Sequence, residues 1–88
     1  MKTSFRKSFT RDLKKVREQK ILDSVAKVLE EVEAAASLQQ IPELKKLKGG
    51  KNFYRIRVGD YRLGVIIEAD VVEFVRCVPR RDLYRYFP

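Results

Sequence analysis

The chain has 88 residues, 20 Lys/Arg against 12 Asp/Glu, no histidine, one cysteine and a net charge of +8. That length supports one domain, residues 1–88, with a thin core, and the lone Cys77 excludes an internal disulfide framework. Without histidine there is no metal site of the usual His/Cys kind, and no metal or small-molecule cofactor is expected. The charge is segregated. Basic residues gather in 1–20, 45–62 and 76–88, and acids in 21–43 and 63–75. A basic face of this sort suits nucleic acid, an anionic membrane or an acidic protein partner. Met1–Lys20 has no apolar stretch of the kind a secretory leader needs, and no run approaches membrane-spanning length, so a cytoplasmic protein that does not engage a membrane is expected.

In chain order, Lys2–Arg6 alternates as an edge strand would. Ser8 is placed to cap a helix over Phe9–Gln19, whose stripe Phe9, Leu13 and Val16 opposes a basic side of Arg11, Lys14, Lys15 and Arg17. A second helix is predicted over Ile21–Ala36, with Ile21, Leu22, Val25, Val28, Leu29 and Val32 forming the apolar stripe. The two make an antiparallel hairpin that covers one face of a sheet. Ser37–Pro42 reads as a loop. After it, Leu44 and Leu47 anchor a basic segment in which Lys45, Lys46, Lys48 and Lys51 face outward.

Three strands follow. Phe53–Val58 alternates, with Tyr54, Ile56 and Val58 on one side and Phe53, Arg55 and Arg57 on the other. Gly59-Asp60 fits a two-residue hairpin turn with Gly first, which pairs Val58 with Tyr61, Arg57 with Arg62 and Arg55 with Gly64. Like charges directly opposite destabilise a sheet, so the Arg57–Arg62 pair suggests an anion to be held. Tyr61–Glu68 leads through a turn at Ala69-Asp70 to Val71–Val78. Tyr61, Leu63, Val65, Ile67, Val72 and Phe74 are expected to face the helices, and Arg55, Arg57 and Arg62 to share an open face. Pro79 ends the last strand. The tail from Arg80 to Pro88 adds Arg80, Arg81 and Arg85 with Tyr84 and Tyr86: guanidinium forks for phosphate and rings for unpaired bases. Cys77 lies in an apolar run and reads as a buried structural thiol. The fold class is α+β: a small antiparallel sheet in the order β-α-α-β-β-β with a two-helix hairpin on one face.

Three stretches carry a resemblance: Leu44-Lys45-Lys46-Leu47-Lys48-Gly49, Tyr54-Arg55-Ile56-Arg57-Val58-Gly59-Asp60-Tyr61-Arg62-Leu63 and Arg80-Arg81-Asp82-Leu83-Tyr84-Arg85. With the strand and helix order, they resemble the signature blocks of the RelE/ParE superfamily of bacterial and archaeal toxins, RelE-like branch. The resemblance implies the toxin of a type II toxin–antitoxin module, an endoribonuclease that cuts messenger RNA on the ribosome without metal and is neutralised by an acidic antitoxin. It implies catalytic roles for Arg57, Arg62, Arg81 and Tyr84. RNA binding would fall to Lys45, Lys46, Lys48, Lys51, Arg55, Arg80 and Arg85. A ParE-like inhibitor of DNA gyrase and a non-catalytic RNA- or protein-binding relative are the alternatives. Two departures bear on the chemistry. RelE-type enzymes often carry lysine where this chain has Arg55 and Arg57, and many carry histidine at the place of Pro79. Arginine hardly ever gives up its proton, so no obvious proton acceptor remains.

Overall fold

The computed structural model describes all 88 residues. Its elements are β1 (Lys2–Phe5), α1 (Lys7–Lys15), α2 (Gln19–Ala34), β2 (Leu44–Lys46), β3 (Phe53–Val58), β4 (Tyr61–Glu68), β5 (Val71–Pro79) and α3 (Leu83–Tyr86), with 3-10 turns at Leu38–Gln40 and Arg80–Asp82. One five-stranded sheet has the order β1-β5-β4-β3-β2. No helix is long and apolar enough to cross a membrane.

The expected α+β architecture is present, with β3, β4 and the turn between them at the expected limits. Gly59 takes φ +57° and Asp60 does not follow it to positive φ, as a turn with glycine first requires. The register that this turn sets is Val58 opposite Tyr61, Arg57 opposite Arg62 and Arg55 opposite Gly64. The sheet is mixed rather than wholly antiparallel, because β1 pairs with β5 in parallel. Long connections of this kind are what parallel pairs need. β2, an extra three-residue strand, pairs with β3 and forms the far edge.

The helices lie on one face, with α1 against β5 and α2 across β1 and β3. Their buried side chains Phe9, Ile21, Val25 and Val32 meet Ile56, Leu63, Val65, Val72 and Phe74. α1 is shorter than its periodicity suggests. Val16, the third stripe residue, is buried but sits in extended backbone just past the helix end. Ser8 is not the cap either: Arg6 holds that position, and the Ser8 hydroxyl donates to the Val75 carbonyl at 2.5 Å. That carbonyl belongs to a β-bulge. Gly64 pairs with Arg76 and Val65 with Phe74, leaving Val75 without a partner. The extra residue restores the inward direction at Cys77, so Phe74 and Cys77 both join the main core although three positions apart.

The second face is not left open. Leu47, Val75, Val78, Leu83 and Phe87 form a smaller cluster there, with Phe53 and Ile66 at its margin. Gly64 makes this possible. A Cβ at that position would lie 2.8 Å from the Phe87 ring, so only glycine lets the ring settle on the sheet. The C-terminal segment therefore covers one part of this face and leaves the arginine-bearing part exposed.

A buried ion pair joins α1 to β5. Asp12, 5% exposed, accepts from Arg76 Nε at 2.7 Å, Arg76 Nη2 at 3.0 Å and the Cys77 N–H at 2.9 Å. Asp12→Ala leaves a buried N–H and a partly buried guanidinium without partners. The expected cost is about 2–3 kcal/mol, since Arg76 keeps some access to water. Urea unfolding read by circular dichroism measures it.

Cys77 is buried, as its apolar surroundings suggested. Burial, with the Asp12 carboxylate adding, pushes its thiol from an ordinary 9.0 up to about 12. The native thiol is therefore expected to resist iodoacetamide at pH 8 and to react once the chain is unfolded, which mass spectrometry can follow. Because the folded value lies above the unfolded one, this group's contribution to stability is whole below about pH 9. It is lost as pH climbs from there toward 12.

Candidate functional site: an arginine cleft at the end of the sheet

The cleft is built by two turns. The β3–β4 turn presents Asp60 and sets Arg62 one residue into β4. The chain then returns after β5, and the Arg80 N–H donates to the Asp60 carbonyl at 2.7 Å. That bond extends the β4–β5 ladder, in which Tyr61 lies opposite Pro79, and holds the Arg80–Asp82 turn beside the hairpin. It brings residues twenty positions apart in sequence into one site. Leu83, fully buried, fixes the start of α3 behind it.

The resulting cleft of about 670 Å³ is lined by Arg55, Asp60, Arg62, Arg80, Arg81 and Tyr84, with Pro79 and Leu83 completing the wall. Arg57 stands beside it, opposite Arg62 in the sheet. None of these arginines makes a salt bridge; the ion pairs of the molecule are Arg6–Glu73 and Arg76–Asp12. Arg62 donates to the carbonyls of Gly59 at 2.8 Å and Tyr61 at 2.9 Å, which fixes its fork without neutralising it. Arg55 is held by the Glu43 carbonyl at 3.1 Å. Desolvation holds Arg62 below the ordinary arginine range, and repulsion from Arg55, Arg57 and Arg80 adds to this, opposed by Asp60. Arg62 stays a cation, but one that an arriving anion would relieve.

Tyr84 is 68% exposed at the margin of the cleft, a ring free to stack. The other aromatic residues of the tail divide differently. Phe87 is core, and Tyr86 is half exposed with the Arg76 guanidinium 4.6 Å from its ring centre. Of the remaining predicted binding residues, Lys45 is exposed and lies opposite Arg55. Lys48, Lys51 and Arg85 are exposed outside the cleft. Lys46 points elsewhere, into a groove with Leu38, Ile41 and Tyr54. Sequence reasoning missed one member, Asp60, the only carboxylate in the lining. It was legible only as a turn residue, because the partner that draws it into a site arrives twenty residues later. No group of three or more His, Cys, Asp or Glu side chains comes together to hold a metal.

Unpaired guanidinium forks around a cleft can grip a phosphodiester at two points and stabilise extra negative charge on it. Fold and site together define a small basic α+β domain with a cleft lined by unpaired arginines. The family model described as ParE toxin of type II toxin-antitoxin system, parDE, matches residues 4–84. Toxin RelE3 of Methanocaldococcus jannaschii is 40% identical over 89 aligned residues spanning both chains in full. The structure of a RelB–RelE antitoxin–toxin complex from Methanococcus jannaschii aligns with a TM-score of 0.80 at 39% identity, covering 97% of this chain and 99% of that one. An archaeal RelE–RelB complex from Pyrococcus horikoshii shares the fold, with a TM-score of 0.71 at 19% identity over 90% of this chain and 93% of that one. The chain belongs to the RelE/ParE family of toxins of type II toxin–antitoxin systems.

Proposed function

We propose that this toxin is a ribosome-dependent endoribonuclease that cleaves messenger RNA. The observation that carries this reading is the cleft: five guanidiniums without carboxylate partners, gathered about a turn, with an exposed tyrosine beside them. In the reaction the ribose 2′ oxygen attacks the adjacent phosphorus. The O2′–P bond forms and the P–O5′ bond breaks, giving a 2′,3′-cyclic phosphate and a 5′-OH end. Arg57, Arg62 and Arg81 neutralise the charge that builds on the phosphoryl oxygens. Arg81 also donates a hydrogen bond to the departing 5′ oxygen, which takes its proton from water. Tyr84 stacks on the exposed base and turns the 2′ oxygen in line with the leaving group. Asp60, the one carboxylate of the lining, accepts the 2′-OH proton. The ribosome supplies a single-stranded substrate held still. Arg55, Arg80 and the exposed Lys45, Lys48, Lys51 and Arg85 bind the flanking polyanion.

The partner that restrains this activity is an acidic antitoxin, drawn to the same unpaired arginines. The support is the net charge of +8 and the RelB chain in the complex of a 39% identical relative. The experiment is primer extension on a messenger RNA incubated with the protein and programmed ribosomes, beside a ribosome-free control. Cuts confined to the ribosome lane are expected. Their absence from every lane would overturn the reading.

A further inference from the structure

A second cleft adjoins the first. It measures about 390 Å³ and lies between the end of α1, the strands β4 and β5, and α3. Lys15, Tyr61, Arg76 and Tyr86 line it, and Pro79 lines both clefts, so the two are neighbours across one residue. Its chemistry differs from that of the arginine cleft. Tyr86 is half exposed, with Arg76 against its ring at 4.6 Å. Asp12, the one acid in the lining, is already spent on Arg76 and the Cys77 N–H. Lys15 is exposed and has no carboxylate partner. It also closes the basic side of α1, which carries Arg11 and Lys14 as well.

A ring backed by a guanidinium, with a free ammonium beside it, is a place for a base to stack and its phosphate to be met. From this juxtaposition we propose that the second cleft is a nucleotide subsite that takes the residue flanking the scissile phosphate of a single-stranded RNA. The proposal rests on the reading of the arginine cleft as the RNA site. One base would lie at Tyr84 and its neighbour at Tyr86, with the backbone passing Pro79. The site would therefore read RNA over at least two nucleotides, independently of anything the ribosome adds.

The test compares two ligands in ribosome-free solution at low salt, by NMR titration. One is adenosine 3′-monophosphate, which fills one cleft. The other is 2′-O-methyl tri-adenylate, which is long enough for both and cannot be cleaved because its 2′ oxygen is blocked. Lys15→Ala and Tyr86→Ala are each expected to weaken the trinucleotide about five- to tenfold and to leave the mononucleotide unchanged. Arg81→Ala is expected to weaken both. If Arg81→Ala weakens both ligands while Lys15→Ala and Tyr86→Ala leave the trinucleotide unaffected, the subsite falls and the arginine cleft stands. The subsite falls equally if Tyr86→Ala weakens both ligands alike while Lys15→Ala is silent, since Tyr86 then acts only by holding α3. If Arg81→Ala is silent on both ligands, the arginine cleft is not the RNA site and the function proposed for it fails first.

Discussion

Arg81→Ala is expected to lower single-turnover cleavage of messenger RNA on programmed ribosomes by about 10²–10³-fold, with no loss of thermal stability. The two halves of this expectation have separate grounds. Arg81 is exposed, makes no salt bridge, and stands among four like charges. Removing it takes away repulsion and no packing, so the melting temperature should hold or rise slightly. Its place in the Arg80–Asp82 turn does not depend on its own side chain. The anchors are the Arg80 N–H on the Asp60 carbonyl and the buried Leu83. A loss of rate with the fold intact can then be assigned to the guanidinium. Arg81→Lys separates charge from geometry. An ammonium keeps the cation but cannot grip two oxygens at once, so partial recovery is expected. Arg62→Ala would be harder to interpret, because Arg62 also ties the Gly59 and Tyr61 carbonyls of the turn. Parental cleavage by the Arg81→Ala protein would remove the arginine cluster from the mechanism.

What was legible in the sequence follows from how local each signal is. The β3–β4 hairpin was readable to the residue because a two-residue turn leaves one register, and that register put Arg57 beside Arg62. The core stripes of α2 and β4 were readable because a single period runs through each. The failures are non-local. Nothing near Lys2–Phe5 says that it pairs in parallel with a strand some seventy residues away. The bulge at Val75 cannot be inferred from β5 alone. It becomes visible only in noticing that Phe74 and Cys77, an odd step apart, both need the core. Asp12 left a clue. It falls on the apolar side of α1, at Phe9, Asp12, Leu13, Val16, where an acid is tolerated only if something pairs with it. The partner, Arg76, lies sixty-four residues further along the chain, so the pair cannot be read locally. The second apolar cluster was obscured because Phe87 finds its seat at a glycine in the middle of a strand.

Asp60 tests the chemistry most directly, because it fills the gap that arginine leaves. Guanidiniums can stabilise a pentavalent phosphate but cannot take the 2′-OH proton. Asp60 lines the same cleft as Arg62 and Arg81. Asp60→Asn is expected to reduce single-turnover cleavage about 10²–10⁴-fold, the range for loss of a positioned general base. Asparagine suits a turn as well as aspartate does. The structural duty of this residue is carried by its backbone carbonyl, which accepts the Arg80 N–H and is unchanged by the substitution. Binding should move in the opposite sense from rate. Deleting the only negative charge of the lining makes the cleft more positive, so RNA should bind as tightly as before or more tightly. A lower rate with undiminished binding is the signature of a lost proton acceptor; weaker binding with a proportionate loss of rate would instead indicate a disturbed turn. If the Asn protein cleaves at the parental rate, Asp60 is not the acceptor, and a tyrosine, the ribosome or water must supply it. The arginine cleft would then act purely by holding the phosphate in line and stabilising its charge.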